Sequence, residues 1–312
     1  MMKNHIRIGS RGSQLALWQA RWVKTRLEEW HQGINVTIER IKTTGDKIVD
    51  VPLAKVGGKG LFVKEIEESL LNNRIDIAVH SMKDLPTAIP DGLVIVAITM
   101  REDPRDVIIS KEGVSLSDLK FNARIGTSSL RRQAQILSFR PDLCIIQLRG
   151  NLDTRIKKLY SEDLDAVIVA AAGVKRMGWE EKISEFLPYN ISLPAIGQGA
   201  LGIEVRENDS DIIKIIEGFN HYETSIGVGA ERAFLKRLEG GCQVPVAAFG
   251  KISDSRLLLE GMIGSIDGKR LFREKIEGDL DRGDEIGVRL AERLLDMGGN
   301  EILREVYGRK IL

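Results

Sequence analysis

The chain has 312 residues, 43% hydrophobic and 29% charged, which is enough for two or three domains with separate cores. Its 46 lysines and arginines nearly balance its 45 aspartates and glutamates, and a net charge of +1 argues against a general nucleic-acid binder. Two cysteines, Cys144 and Cys242, make no disulfide framework, and no stretch is long enough to span a membrane. Ile6-Arg7-Ile8 opens the chain without an apolar signal region, so it reads as cytoplasmic.

Strand and helix alternate through the first half. Residues 6–9 read as a strand and 13–30 as an amphipathic helix, followed by a strand over 35–42. Residues 43–56 have little periodicity and run into Gly57-Gly58-Lys59-Gly60. A helix is predicted over 61–72, with buried strands over 76–80 and 93–100. A second set follows, with strands over 106–110, 124–126, 144–148 and 166–170 and helices over 130–139 and 152–160. Cys144 falls in an apolar run that reads as buried. The strand over 201–205, after the loop 194–199, is expected to return to the first sheet. Both sets are βαβ material with a mostly parallel sheet. From His221 the order changes. A long helix ends near Gly240, three strand-like runs cover 246–252, 257–263 and 271–276, and helices over 284–297 and 301–306 close the chain. That is the pattern of a small α+β domain. The expected domains are 1–100 with 200–219, 101–199, and 220–312.

Two strand-to-helix junctions look alike. Ile8-Gly9-Ser10-Arg11-Gly12-Ser13 enters the first helix, and Ile125-Gly126-Thr127-Ser128-Ser129-Leu130-Arg131-Arg132 enters one in the second set. Small and hydroxyl residues at a helix N-terminus, with arginine beside them, suit an anion; the plainer alternative is N-capping by Ser13 and Ser129. Arg149, Arg155 and Arg176 also follow strands, where ligands bind in open α/β sheets. Arg155 lies on the first turn of a helix, where the dipole disfavours a cation unless an anion is near. A ligand with several carboxylates fits such a set of arginine forks.

His80-Ser81-Met82-Lys83-Asp84-Leu85-Pro86 is the candidate acid–base element. Asp84 either serves a cationic or protonic task among the arginines or pairs with Lys83 to order a turn. The glycine run at 57–60 lacks the Walker spacing, and residues 45–60, with Lys55 and Lys59, read as a mobile lid. No metal site is expected, because four scattered histidines make no ligand cluster. Finally, Leu238-Glu239-Gly240-Gly241-Cys242-Gln243-Val244-Pro245 sets a cysteine on a glycine turn that stops a helix. The thiol is a nucleophile, an anchor for a covalent group, or a small buried hydrophobe.

Taken in order, these segments resemble the porphobilinogen deaminase (hydroxymethylbilane synthase) family over nearly the whole chain. The matching motifs are Glu231-Arg232-Ala233-Phe234 with the cysteine segment, Val56 to Phe62, His80 to Asp84, Gly126 to Arg132, and Leu148-Arg149-Gly150-Asn151. Gly227 stands where some members carry arginine, which puts only local helix stability in doubt. The resemblance implies an α/β fold: two periplasmic-binding-protein-like domains around a cleft, plus a small α+β C-terminal domain carrying the cysteine. It implies a dipyrromethane cofactor joined to Cys242 by a thioether, and porphobilinogen as substrate of a cytoplasmic, monomeric transferase of porphyrin and heme biosynthesis. Four porphobilinogens would condense head to tail with loss of ammonia, and hydrolysis would release hydroxymethylbilane. In that scheme Asp84 is catalytic. Ser81, Lys83, Thr127, Ser129, Arg131, Arg132, Gly150 and Arg155 hold the cofactor. Arg11, Ser13, Lys55, Lys59, Phe62, Arg149, Arg176 and Gln198 meet the substrate, with core packing the plainer role for Phe62.

Two rival readings compete. A non-catalytic carboxylate-binding protein would use the helix ends but leaves the Gly-Gly-Cys turn unexplained. A cysteine acyl transferase would need a histidine near Cys242, and only His221 is near in sequence.

Overall fold

The computed structural model describes residues 4–47, 60–239 and 244–308. The chain divides into two compact units, Met1–Arg101 with Ala200–Ser225, and Glu102–Gly199 with Ile226–Leu312. It first lays down β1 (His5–Ser10), β2 (Asn35–Arg40), β3 (Ile77–Ser81) and β4 (Leu93–Ile98). The second unit opens with β5 (Asp106–Ser110), β6 (Arg124–Gly126), β7 (Cys144–Ile146), β8 (Ala166–Ala170) and β9 (Glu185–Phe186). The chain then returns, as expected, with β10 (Leu201–Arg206) in the first sheet.

The strand orders are β2-β1-β3-β10-β4 and β7-β6-β8-β5-β9. In each sheet one strand, β10 or β5, runs antiparallel to both neighbours, and the others are parallel. Reversal has a consequence for function. The N-terminal end of β5 lies at the carboxyl end of β8, with Asp106 opposite Ala170. The N-terminal end of β10 likewise lies at the carboxyl end of β3, with Leu201 opposite Ser81. Residues from distant parts of the chain therefore meet where parallel strands end.

Local sequence explains the elements. The helix Gln14–Trp30 starts at Ser13, whose Oγ accepts from the Ala16 amide at 3.3 Å. It buries Ala20, Val23 and Leu27 against the first sheet. The strand β8, Ala-Val-Ile-Val-Ala, is buried on both faces, as a central strand with helices on either side must be. Cys144 corrects the sequence reading. It lies on β7, at the sheet edge, and is exposed, because an edge strand has a neighbour on one side only. The helices Ala171–Arg176 and Ser210–Ile216, unassigned from sequence, are too short to show a clear period.

The C-terminal part is an antiparallel sheet of β11 (Val246–Ser253), β12 (Arg256–Gly264) and β13 (Leu271–Gly278). The helices Tyr222–Arg237 and Gly283–Leu294 pack on it around Phe234, Leu259, Leu290 and Leu294. Gly227 has a structural reason. A Cβ there would lie 2.8 Å from the Gly250 carbonyl oxygen, and one on Gly250 would lie 2.8 Å from that of Gly227. Helix and strand touch backbone to backbone at this point, and arginine at position 227 would force them apart. Among the described residues no helix is long and apolar enough to cross a membrane.

Candidate functional site

The first unit has a pocket of ≈ 60 Å³ at the carboxyl ends of β1 and β3. Arg11, Ser13, Phe62, His80, Ser81 and Asp84 help line it, so six predicted or flanking residues from three separate segments do come together. The Arg11 guanidinium lies 4.3 Å above the centre of the Phe62 ring, a cation–π contact that fixes both. Ser81 Oγ accepts a hydrogen bond from Gln19 Nε2 at 2.9 Å. Asp84 ends a single 3-10 turn, Met82–Asp84, anchored by the buried Met82. Its carboxylate is exposed at the pocket and makes no hydrogen bond or ion pair among the described residues. The alternative reading of a Lys83–Asp84 pair is therefore not formed. Behind the wall, His80 Nε2 meets Glu204 Oε2 at 2.9 Å.

In the second unit the junction after β6 is capped as its sequence pattern predicts. Ser129 Oγ accepts from the Arg132 amide at 3.4 Å, and Thr127 Oγ1 accepts from the Ser129 amide at 3.2 Å. The side chains of Arg131 and Arg132 turn inward, each 5% exposed, onto the fully buried Asp106. Arg131 Nη1 donates to Asp106 Oδ2 at 2.8 Å, and Arg132 Nη2 donates to Oδ1 at 2.7 Å. Ser192 Oγ and Gln198 Nε2 add bonds of 2.8 and 3.0 Å to the same carboxylate. Burial alone would raise the Asp106 pKa, but the two guanidiniums outweigh it and hold the group far below the usual carboxylate range. Burial lowers the Arg131 pKa, with Asp106 opposing and Arg132 adding to that shift.

The arithmetic of this hub matters. Two buried guanidiniums share one carboxylate, which leaves one positive charge uncompensated. Nε and Nη2 of Arg131 make no hydrogen bond among the described residues, and Gln198 Oε1 is buried without a partner among them. Nearby, Arg176 Nη2 donates to the Gly199 carbonyl at 2.6 Å. Burial pushes the Arg176 pKa down to about 10, against the opposing charge of Glu102. Among the described residues, the Arg131–Arg132–Asp106 hub thus holds more buried positive than negative charge.

Arg149 and Gly150 form the loop after β7. Gly150 has φ 117°, and a Cβ there would lie 2.7 Å from Thr154 Cγ2, so only glycine fits on two counts. Arg155 lies on the first turn of the helix Leu152–Ser161, and its Nε donates to the Gly150 carbonyl at 2.8 Å. Buried Glu231 holds the loop with Gln198. Its Oε2 accepts from the Gly197 amide at 2.6 Å and its Oε1 from the Gly250 amide at 2.8 Å. The sequence reading gave no role to Asp106, Glu231 or Glu204. An acid opening or interrupting an apolar strand, as in Asp106-Val-Ile-Ile or Gly202-Ile-Glu204-Val, was the available signal.

Cys242, Lys55, Lys59 and most of the expected lid over 45–60 lie outside the described residues. The borders of the cysteine segment are described. Glu239, at φ 51°, takes the left-handed turn out of the helix before the glycine pair is reached. Leu238 and Val244 are both buried in the C-terminal core, and Tyr307 Oη donates to the Glu239 carbonyl at 3.3 Å. Both ends of the segment are therefore anchored to that core.

Fold and sites define an α/β protein with cation-lined strand ends and a small appended α+β domain. Comparison with known proteins places it more narrowly. A family model described as "Porphobilinogen deaminase, dipyromethane cofactor binding domain" matches residues 6–214, and one described as "Porphobilinogen deaminase, C-terminal domain" matches residues 226–296. The porphobilinogen deaminase of Geobacter metallireducens is 58% identical over 100% of this chain and 98% of its own. That of Geobacter sulfurreducens is 57% identical over the same shares, and that of Pelobacter propionicus 55% over 100% of both chains. A solved structure of the aliphatic sulphonate binding protein SsuA from Escherichia coli matches at 12% identity, with TM-score 0.40, over 76% of this chain and 71% of that one. The chain belongs to the porphobilinogen deaminase family. It is a transferase of tetrapyrrole biosynthesis with a dipyrromethane-cofactor-binding domain.

Proposed function

We propose that the protein condenses four porphobilinogen molecules head to tail onto a dipyrromethane primer, held by a thioether to Cys242. Ammonia leaves at each addition, and hydrolysis releases hydroxymethylbilane. The observation that carries this reading is the excess of buried positive charge around Asp106. A pyrrole pair bearing acetate and propionate groups is a polyanion, and its carboxylates supply the second negative charge that the Arg131–Arg132 pair does not find among the described residues.

Arg131, Arg132 and Arg155 hold the cofactor carboxylates with Lys83, Ser81, Thr127 and Ser129, and Gly150 lets a ligand approach the backbone. Arg11, Ser13, Arg149, Arg176 and Gln198 receive the carboxylates and polar edges of incoming substrate, together with Lys55 and Lys59. Phe62, stacked under Arg11, offers its remaining surface to a pyrrole ring. When bound, the dipyrromethane supplies the nucleophilic pyrrole carbon from which the product is extended.

Asp84 does what no arginine can. Departure of ammonia develops positive charge on the substrate pyrrole. An exposed carboxylate with no competing hydrogen bond or ion pair among the described residues is placed to accept from the pyrrole N–H and stabilise that charge.

Intact mass under denaturing conditions tests the reading. An added mass is expected on the Cys242 peptide and is expected to vanish in Cys242→Ser. Cys144 is exposed and serves as the internal control. An adduct on Cys144, or turnover by protein carrying no adduct, would overturn the assignment.

A further inference from the structure

Three buried ionisable side chains of the first unit have no part in the reading above. β10 runs antiparallel to β3, with Gly202 opposite His80 and Glu204 opposite Ala78. His80, Ala78 and Glu204 therefore share one face of the sheet, and the small Ala78 side chain leaves room for the other two to meet. His80 is 5% exposed and Glu204 is fully buried, with Nε2 and Oε2 2.9 Å apart. Glu204 Oε1 makes no hydrogen bond among the described residues. Glu67, on the helix Lys64–Leu71 that covers this face, is also buried. Two apolar residues would pack here without the cost of desolvating a carboxylate. His80 also helps line the pocket that holds Asp84, and its Nδ1 makes no hydrogen bond among the described residues.

We propose that His80 holds the proton exchanged in this pocket, with Glu204 fixing its Nε2–H tautomer so that Nδ1 takes up and returns the proton beside Asp84. The proposal rests on the condensation reading above, and the proton count of that reaction requires an acceptor. The substrate ammonium leaves as neutral ammonia when its C–N bond breaks. The new C–C bond then forms with loss of a C–H proton from the attacking pyrrole, whose electron pair returns to the ring. That proton moves to Nδ1 of His80 and from there to water. Asp84 keeps its charge throughout and goes on stabilising the cation.

The charged and titratable groups around His80 are Glu204 on β10, Glu67 on the covering helix, Lys83 in the following turn, and Arg11 and Asp84 around the pocket. Burial pushes Glu67 up to about 7, with the Glu204 charge adding to the shift and His80 partly offsetting it. Glu67 can therefore lose a proton when His80 gains one, which holds the buried charge constant.

Nitrogen-15 NMR of histidine-labelled holoenzyme tests the idea without any variant. The neutral His80 ring is expected as the Nε2–H tautomer, with its Nδ1 free of a proton. Glu204→Gln removes the carboxylate acceptor that fixes this tautomer, so it is expected to raise the Nδ1–H fraction of the neutral ring. His80→Gln is expected to keep the Cys242 adduct and KM, to lower kcat on the order of 100-fold, and to erase the matching limb of the kcat–pH profile. A neutral His80 ring found as the Nδ1–H tautomer overturns the proposal, as does a His80→Gln enzyme with the wild-type pH profile. If His80→Gln fails to fold, the tautomer of the wild-type ring decides. A wild-type protein without the adduct, or without ammonia release from porphobilinogen, refutes the parent reading and is recognised before any His80 variant is made.

Discussion

Replacing Asp106 by asparagine removes the one negative charge from a buried cluster while preserving shape. Its carboxylate accepts from Arg131 Nη1 at 2.8 Å, Arg132 Nε and Nη2 at 3.1 and 2.7 Å, Ser192 Oγ at 2.8 Å and Gln198 Nε2 at 3.0 Å. Guanidinium donors occupy both oxygens, so either orientation of an asparagine amide turns an NH₂ donor toward an arginine. Breaking a buried ion pair by removing one partner costs about 3–5 kcal/mol. In a unit of this size each kcal/mol lowers Tm by roughly 2–4 °C, so Asp106→Asn is expected to melt roughly 6–20 °C lower at neutral pH. Scanning calorimetry of both proteins across a pH series gives the check. The folded Asp106 pKa is depressed, so its contribution is fully present above the unfolded value of about 3.9 and fades only as pH falls below that. The gap between wild type and variant should therefore stay constant through neutral pH and narrow in acid. A Tm change below about 2 °C at neutral pH would refute the claim that this carboxylate holds the two arginines in place.

Asp84→Asn should leave Tm and the Cys242 adduct intact and lower single-turnover ammonia release on the order of 100- to 1000-fold; near-normal release would locate the stabilising charge elsewhere. Gly227→Ala gains helix propensity but drives a Cβ to within 2.8 Å of the Gly250 carbonyl, where both neighbours are backbone. A net loss of about 1–2 kcal/mol is expected from denaturant unfolding, and an unchanged midpoint would show that the helix and β11 slide apart freely.

The two anion-type junctions show how far local sequence reaches. Ser13 and Ser129 were legible as helix starts because a cap and the amide it satisfies lie within one turn. Gly150 entered only through the family motif; its φ of 117° and its crowding by Thr154 are features of the structure. Cys144 was misread because an apolar run carries no mark of edge or centre, and β7 turned out to be the edge. Arg131 and Arg132 were read as carboxylate-binding forks, but their partner Asp106, 25 and 26 residues away, could not be read from the sequence.

What the sequence determined by itself is therefore what neighbours in the chain decide: the alternation of strands and helices, their caps, and motifs dense enough to identify the family. Which charges meet was decided by tertiary structure alone. Asp106 reaches its arginines because β5 enters the sheet reversed, and Glu204 reaches His80, 124 residues distant, because β10 does the same beside β3. Strand order and direction are settled by packing between segments far apart in sequence, and no local periodicity encodes which carboxylate a buried cation will find.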